Sequence, residues 1–239
     1  MTRGASQLQS LGQLLPGNLG ERLEPHARQV KLRAGQIVIA HQDRTNDVFV
    51  VLEGALRVEL HSLNGRDVIL AELSAGELIG EYAALDDDLR SATVTAVTEC
   101  RLAVIPGDIF RAEVHANAET AEWLTRRLVS RIRQLTERIF ELNALAVRDR
   151  LHCELLRMCL DVGIAHNEAT IDSAPTHHQL ARRIGTHREA VTRELQYLHK
   201  QGILTQDGRR LTVRDVAALA DIVRAAAGDI DVILRAIQP

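Results

Sequence analysis

The stretch between Asn117 and Gly163 contains no glycine or proline, so the chain must accommodate a long helix at its centre. Apolar residues recur there in alternating steps of four and three, the spacing of a heptad seam: Leu128, Ile132, Leu135, Ile139, Leu142 and Ala146. A helix over roughly residues 117 to 143 would be ~40 Å long, longer than the sheet domain predicted before it. The pattern predicts a symmetric homodimer with this helix at the two-fold axis. The alternative is a helix that packs on the core of its own domain.

The first half of the chain has the pattern of short β-strands. Its apolar residues come in short runs, separated about every ten residues by turn-forming glycine, asparagine or proline. Asn64-Gly65 stands between two alternating segments, which is a strong signal for a type I′ hairpin. Short strands punctuated by glycine predict a jelly-roll-like antiparallel domain over residues 32 to 107.

The segment from Gly76 to Thr93 interrupts the strand pattern and is a candidate anion site. A glycine followed by small residues lets backbone N–H groups converge on an anion, especially where a helix begins. Arg90 can bind phosphate with two N–H groups, Ser91 offers a hydroxyl donor, and Glu81 can accept from a sugar hydroxyl. The alternative is an ordinary solvated loop, where the same residue types are common.

Two helix-start signals stand ten residues apart near the C-terminus. Thr176-His-His-Gln and Thr186-His-Arg-Glu both match the S/T-x-x-E/Q capping box. The first helix is therefore expected to end near Ile184, Gly185 to make the turn, and a second helix to cover residues 187 to 201. This arrangement predicts a helix-turn-helix. A further helix is predicted before it, over residues 147 to 160, and residues 214 to 239 are predicted to add a short amphipathic helix packed on this domain.

The outer face of the second helix carries side chains suited to base edges. Arginine at 188 and 193 can donate to guanine O6 and N7, and Glu189 can accept from cytosine N4. Two other roles stay open for Glu189: the capping box, and a surface pair with Arg193. The hairpin that follows, predicted to turn at Asp207-Gly208, forms a wing that can contact phosphate.

The distribution of charge indicates a nucleic-acid partner, although the net charge of −3 does not. Residues 1 to 110 hold 10 basic and 15 acidic residues, whereas residues 176 to 210 hold seven basic residues, three acidic residues and four histidines. This asymmetry predicts an acidic first domain and a basic nucleic-acid reader at the other end.

The cysteines and the apolar runs predict a reduced cytoplasmic protein that does not bind a membrane. Cys100, Cys153 and Cys159 are too few and too irregularly spaced for a disulfide framework or a metal site, and the last two are expected to be small buried residues. The N-terminus lacks the apolar stretch of a signal peptide, and no apolar run approaches the ~18 residues of a membrane span.

These parts, in this order, resemble the cyclic AMP receptor proteins, the bacterial transcription regulators also called catabolite activators. The resemblance covers roughly residues 30 to 213 and rests on Gly80-Glu81 followed by Arg90-Ser91-Ala92, and on Arg188-Glu189-x-Val191-x-Arg193. It implies an α+β fold with three parts. These are an N-terminal β jelly-roll that binds cyclic nucleotide (1–116), a dimerisation helix and hinge (117–146), and a winged helix-turn-helix DNA-binding domain with a C-terminal extension (147–239).

The resemblance also implies two sets of binding residues. It places cyclic nucleotide against Val58, Leu70, Gly80, Glu81, Tyr82, Ala83, Arg90, Ser91, Leu135 and Thr136. Among these, Glu81 would bind the ribose 2′-hydroxyl, and Arg90 and Ser91 the cyclic phosphate. It places double-stranded DNA against Thr176, His178, His187, Arg188, Glu189, Thr192, Arg193 and Arg209. Arginines 188 and 193 with Glu189 would read a TGTGA-type half-site of a palindromic operator, and Thr176 and His178 would contact phosphates.

The purine of the effector stays open. Cyclic AMP activators carry adjacent Thr and Ser on the dimer helix where the purine is recognised, whereas this chain has Leu135 and Thr136 there. Leu135 also belongs to the heptad seam, so dimer packing is its alternative role. Cyclic AMP is the first choice and cyclic GMP the second, since Ser91 can also serve a guanine amino group. No cysteine precedes Cys100, so no iron–sulfur cluster is expected.

The resemblance implies an allosteric regulator rather than an enzyme, with RNA polymerase as a further partner. A metal-dependent enzyme of the cupin kind would need an H-x-H and Glu cluster, whereas His41 and His61 stand alone. A nucleotide-binding adaptor that never contacts DNA would lack the helix around Arg188 and Arg193. A regulator of this architecture with an empty pocket or another effector is the third alternative.

Overall fold

The computed structural model describes residues 10–61, 67–228 and 230. The chain divides into two compact units, Met1–Ser130 and Arg131–Pro239. Strands dominate the first unit and helices the second, as the predicted α+β fold requires. Within the described ranges no helix is both long and apolar enough to cross a membrane.

The first unit is a β roll. Two short helices, α1 (Leu11–Leu14) and α2 (Leu19–Leu23), and a turn of 3-10 helix at Glu24–His26 precede its strands. The strands are β1 (Arg28–Leu32), β2 (Ile37–Ile39), β3 (Val48–Glu53), β4 (Leu56–His61), β5 (Asp67–Leu73), β6 (Leu78–Ile79), β7 (Thr93–Ala96) and β8 (Cys100–Ile105). They form two antiparallel sheets, in the orders β1-β8-β3-β6 and β2-β7-β4-β5.

Strand β3 lies between two apolar layers, because five successive residues of it are buried. Val48, Val50 and Leu52 pack with the leucines of α1 and α2, while Phe49 and Val51 face the other way and pack between the two sheets. Such an uninterrupted apolar run is what a strand covered on both faces requires. The jelly-roll prediction is confirmed.

Two observed strands differ from the sequence-based limits. The roll begins at Arg28 rather than at residue 32, because β1 pairs with β8 although its side chains are mostly exposed. Thr93, predicted to end the irregular segment, is the first residue of β7. The predicted Asn64-Gly65 turn lies outside the described residues.

Helices α3 (Glu81–Asp86) and α4 (Gly107–Ala116) belong to the first unit, and α5 (Ala118–Ala144) begins in the first unit and ends in the second. Helix α5 has 27 residues, as predicted, and the boundary between the two units falls within it. Asn117 caps it, since the Asn117 Oδ1 accepts hydrogen bonds from the backbone N–H groups of Glu119 and Thr120 at 3.1 and 3.2 Å.

The second unit is a winged helix-turn-helix domain. Its remaining elements are α6 (Val147–Val162), β9 (Ala169–Ile171), α7 (His177–Ile184), α8 (Arg188–Lys200), β10 (Leu204–Asp207), β11 (Arg210–Val213) and α9 (Val216–Ala227). The strands form an antiparallel sheet in the order β10-β11-β9. One apolar core joins α6 to α7, α8 and α9, and it contains Cys153, Cys159 and the predicted tail residues Val216, Leu219 and Val223.

The second predicted capping box is wrong. Helix α7 does begin with the box at Thr176 and Gln179, but α8 begins after His187, which makes no side-chain cap. The N–H of Thr186 instead donates to the carbonyl of Ala181 at 2.9 Å, and Gly185 adopts φ 65°, so Thr186 belongs to the C-terminal cap of α7.

The predicted wing turn is displaced by one residue. Asp207 pairs with Arg210 at the end of the ladder, so the two-residue turn is Gly208-Arg209 rather than Asp207-Gly208. Gly208 supplies the positive φ, 57°, that such a short turn requires.

Candidate functional site

The anion-site segment of the first unit is built around a close approach at Gly80. This residue follows β6, adopts φ 87° and precedes α3. A Cβ atom at this position would lie 2.7 Å from Arg90 Nη1 and 2.7 Å from the carbonyl oxygen of Asp47. Only glycine therefore fits here, because the backbone has a positive φ and because any Cβ atom would collide with Arg90 and the Asp47 carbonyl.

Arg90 is almost completely buried, with 3% of its surface exposed. Its Nη1 donates to the Gly80 carbonyl at 2.9 Å, its Nη2 to the Asp47 carbonyl at 2.7 Å, and its Nε to Thr45 Oγ1 at 3.1 Å. A guanidinium has five N–H groups. The three protein bonds fix its plane and leave one N–H on each terminal nitrogen for another acceptor.

The electrostatic surroundings of Arg90 keep a positive charge inside the roll. Burial lowers the pKa of Arg90 below its ordinary value, while the carboxylates of Asp47, Asp43 and Glu81 act in the opposite direction. An arginine remains protonated despite such a shift. The guanidinium carbon also lies 6.0 Å from the centre of the Phe49 ring, which is a cation–π distance.

The other predicted residues of this segment differ in exposure. Glu81 and Ala83 are buried, whereas Tyr82 and Ser91 are exposed. The structure thus brings Gly80 and Arg90 into direct contact, with Glu81 near enough to influence the charge of Arg90. Thr45 and Asp47 were missed by the sequence analysis, because no local pattern relates them to an arginine more than 40 positions later.

Val58 and Leu70 lie where β4 and β5 pair. Val58 pairs with Ala71 and Glu59 with Ile69, so Leu70 is the extra residue of a β-bulge. Both side chains are partly buried. Leu135 and Thr136 belong to the second unit; both are exposed, and the Thr136 hydroxyl donates to the Ile132 carbonyl at 2.9 Å. Their nucleotide roles stay predictions.

The predicted heptad seam on α5 changes character along the helix. Leu128 packs against the core of the first unit. Further on, Ile132 and Ile139 are 61% and 62% exposed, and Leu135 and Leu142 are also exposed. The first half of α5 therefore packs on the core of the first unit through Leu128, whereas an apolar stripe on its second half is exposed.

The outer face of α8 presents charged side chains to solvent. Arg188, Glu189 and Arg193 are exposed. Within the described residues, their side chains make neither an ion pair nor a hydrogen bond. The capping and surface-pair roles considered for Glu189 are thus both absent from this part of the structure. Gln196 and Tyr197 extend the same exposed face.

The flanking predicted DNA contacts are arranged around α7 and the wing. His178, His187 and Arg209 are exposed, and Arg209 Nε donates to the Ala174 carbonyl at 3.4 Å. The hydroxyl of Thr192 is engaged inside the domain, 2.8 Å from His177 Nδ1 and 3.0 Å from the Arg188 carbonyl. Thr176, also exposed, caps α7.

The described residues offer no arrangement suited to a bound metal: no three His, Cys, Asp or Glu side chains are grouped to hold one. Burial raises the pKa of both Cys153 and Cys159 to about 12, so their thiols stay protonated at neutral pH.

Two family models match this chain. Residues 29–117 match the cyclic nucleotide-binding domain, and residues 149–222 match the Crp-like helix-turn-helix domain. The chain belongs to the cyclic AMP receptor protein family of transcription regulators. Its cyclic nucleotide-binding domain is the β roll that holds Arg90, and its DNA-binding domain is the unit that holds α7 and α8.

Relatives in this family are distant in sequence but similar over nearly their whole length. The cAMP-activated global transcriptional regulator Vfr of Pseudomonas aeruginosa is 26% identical over 81% of this chain and 92% of its own. A CRP-like cAMP-activated global transcriptional regulator of Mycobacterium tuberculosis is 23% identical over 84% of this chain and 89% of its own.

Solved structures share the fold. FixK2 from Bradyrhizobium japonicum superimposes with a TM-score of 0.73 at 21% identity, covering 84% of this chain and 99% of FixK2. A CooA mutant from Carboxydothermus hydrogenoformans gives a TM-score of 0.76 at 20% identity, covering 91% of this chain and 97% of CooA.

Proposed function

We propose that this regulator binds cyclic AMP in its β roll and that the bound nucleotide controls how its homodimer binds a palindromic DNA operator. The observation that carries the proposal is the state of Arg90. Its guanidinium is buried, held in one orientation by Gly80, Asp47 and Thr45, and has one N–H left on each terminal nitrogen. Two N–H groups on one fixed guanidinium suit the oxygens of a phosphate.

Cyclic AMP is preferred over cyclic GMP as the effector. The curated relatives Vfr and the mycobacterial regulator are both named as cAMP-activated. By the resemblance, the Thr136 hydroxyl would serve the purine, and the exposed hydroxyl of Ser91 would equally suit a guanine amino group. Both nucleotides therefore belong in the first binding experiment.

The apolar stripe on α5 supports the dimer. Soluble proteins rarely leave a row of large aliphatic side chains exposed without a partner, and Ile132, Leu135, Ile139 and Leu142 have the 4-3 spacing of a two-helix seam. We expect the nucleotide-bound dimer to present its two copies of α8 ~34 Å apart, the spacing of successive major grooves.

The exposed face of α8 supports direct reading of DNA. Arg188, Glu189 and Arg193 are not engaged with other described residues, so they can meet base edges without breaking internal bonds. We place the TGTGA-type half-site against these three residues and the phosphates against Thr176, His178 and the wing. RNA polymerase remains the proposed further partner, and the cytoplasm the proposed location.

Calorimetric titration of both cyclic nucleotides tests the effector assignment. Wild type should bind cyclic AMP more tightly than cyclic GMP, and Arg90→Leu should bind neither. Arg101→Leu is the matched control, because Arg101 also lies in the roll but pairs with Glu53 at 3.2 Å and has no role in the proposed site. Equal nucleotide binding by wild type and Arg90→Leu would overturn the site assignment.

Fluorescence anisotropy with labelled operator tests DNA binding. Arg188→Ala should weaken binding by ~1 to 3 kcal/mol and relax preference at one guanine. A uniform loss over all sequences would make Arg188 a phosphate contact. A wild-type protein that binds nucleotide but not DNA, with or without nucleotide, would support the adaptor alternative instead.

A further inference from the structure

A buried cluster of charged side chains lies in the second unit and contains none of the predicted nucleotide or DNA contacts. Glu154 Oε2 accepts from Arg138 Nη2 at 2.6 Å and from Arg157 Nη1 at 3.3 Å, and Glu154 Oε1 accepts from Arg183 Nη1 at 2.9 Å. A second carboxylate, Glu141, pairs with Arg157 and lies 3.6 Å from Arg138. The cluster therefore joins two glutamates to three arginines.

The two carboxylates of this cluster are among the most buried charges of the described chain. The side chains of Glu154 and Glu141 are 3% and 2% exposed. Burial alone would raise the pKa of Glu154, but the charges and hydrogen bonds of Arg138 and Arg183 outweigh it and lower the pKa below its ordinary value. Glu154 is thus an anion that depends on its arginine partners.

The members of the cluster come from three different helices. Arg138 and Glu141 lie near the end of α5, Glu154 and Arg157 lie on α6, and Arg183 lies in the last turn of α7. Each carboxylate oxygen of Glu154 bonds to a different helix: Oε2 accepts from Arg138 on α5, and Oε1 accepts from Arg183 on α7. One carboxylate is shared by the dimer helix and the first helix of the helix-turn-helix.

Another face of α6 contacts the recognition helix. His152 lies two residues before Glu154, and its Nε2 is 2.8 Å from Glu194 Oε1 on α8. Helices α7 and α8 are therefore both connected to α6 through polar bonds, in addition to their shared apolar core. Apolar contacts tolerate small sliding movements, whereas short charged hydrogen bonds fix orientation.

We propose that Glu154 is a positioning residue that transmits the state of the dimer helix α5 to the DNA-binding helices, and the inference rests on the proposed function. Nucleotide bound in the roll would bias the arrangement of α5. The Arg138–Glu154–Arg183 link would make α7, and with it α8, follow that arrangement. Without the link, the DNA-binding helices would keep their fold but lose their dependence on α5.

The test is Glu154→Gln, compared with Glu122→Gln as the matched control. Glutamine keeps one carbonyl oxygen but replaces the other with an amide N–H₂, which cannot accept from an arginine. Glu122 lies on the exposed surface of α5 and pairs there with Arg126 at 2.5 Å, so its substitution removes the same charge without touching the cluster.

The measured quantity is the ratio of the operator Kd without cyclic AMP to that with saturating cyclic AMP. Allosteric coupling is typically about 5- to 150-fold, and we expect wild type and Glu122→Gln to lie in that range. Glu154→Gln should bind cyclic AMP as wild type does, with a ratio near one. If Glu154→Gln has the same Kd ratio as wild type, even with a lowered melting temperature, the cluster only stabilises the fold and the inference is overturned. If Glu154→Gln does not fold, Arg183→Lys carries the same test.

Hydrogen exchange separates failure of this inference from failure of the proposed function. If the operator Kd of the wild-type protein is the same with and without cyclic AMP, nucleotide control itself is rejected. The Arg138–Glu154–Arg183 link is then tested by amide hydrogen exchange alone. In that case Glu154→Gln should still speed amide exchange in the last turns of α5 and in α7 together, with α9 as the internal reference. Unchanged exchange in α7 would overturn the link.

Discussion

Replacing Ile139 with alanine should weaken the proposed dimer through the loss of apolar burial. The substitution removes about three methylene equivalents, worth ~0.8 kcal/mol each when fully buried. Because 62% of Ile139 is exposed in the single chain, about that share of its surface is available to a partner, or about 1.5 kcal/mol per subunit. A two-fold axis counts the residue twice. The total of ~3 kcal/mol corresponds to an increase of roughly 100-fold in the dimer Kd.

Sedimentation equilibrium measures this Kd, and the chain offers a close control. Ile37 is 60% exposed but lies on β2, far along the chain from the seam. Ile37→Ala should leave the dimer Kd unchanged, since it removes the same atoms from a surface with no proposed partner. If Ile139→Ala and Ile37→Ala gave the same Kd as wild type, the stripe on α5 would not be the dimer interface.

Three further substitutions have outcomes set by local geometry. Gly80→Ala should cost more stability in urea unfolding than Gly35→Ala, although both residues have φ near 86° and the left-handed strain of ~1 to 2 kcal/mol is common to both; only the new Cβ at position 80 meets other atoms. Equal losses would contradict the collision. Glu154→Gln should cost about 3 to 5 kcal/mol at neutral pH. Since the pKa of Glu154 is lowered in the folded state, its contribution is present above the unfolded value of ~4.3 and is lost as pH falls below it. The urea-unfolding difference between wild type and this variant should therefore shrink in acid, and a constant difference would exclude the charge as its cause. Asp215→Ala should cost ~1 kcal/mol, because Asp215 Oδ1 accepts from the N–H of Ala218 at 2.8 Å and so caps α9; circular dichroism during thermal unfolding measures the loss, and an unchanged melting temperature would contradict it.

Features with local causes were predictable from the sequence. The cap at Asn117, the length of α5 and the pairing of α7 with α8 follow from residue spacing alone, since each depends on neighbours within a few positions. The error at Thr186 has the same origin. Two local motifs compete for Thr186: the Schellman-type end of α7 at Gly185 and a capping box at the start of α8. In the structure the N–H of Thr186 donates to the Ala181 carbonyl in the first motif, so it is not available for the second.

Features that depend on distant partners were not predictable. Arg90 was predicted to bind phosphate, but nothing in the sequence around it shows that Thr45 and Asp47 hold its guanidinium. Likewise, the sequence alone does not distinguish Glu154 from the other polar residues of an amphipathic helix. Its burial follows only once Arg138 and Arg183 are brought to it by the folding of the second unit.

The burial of Arg90 has a consequence for timing. Because only 3% of Arg90 is exposed, we expect nucleotide association to include an opening step around its guanidinium. Binding that needs a conformational change is slower than binding to a preformed surface. The observed association rate should therefore level off as nucleotide concentration rises. On this expectation, the opening around Arg90 sets the delay between a rise in effector and a change in transcription. The delay no longer shortens once the association rate has levelled off.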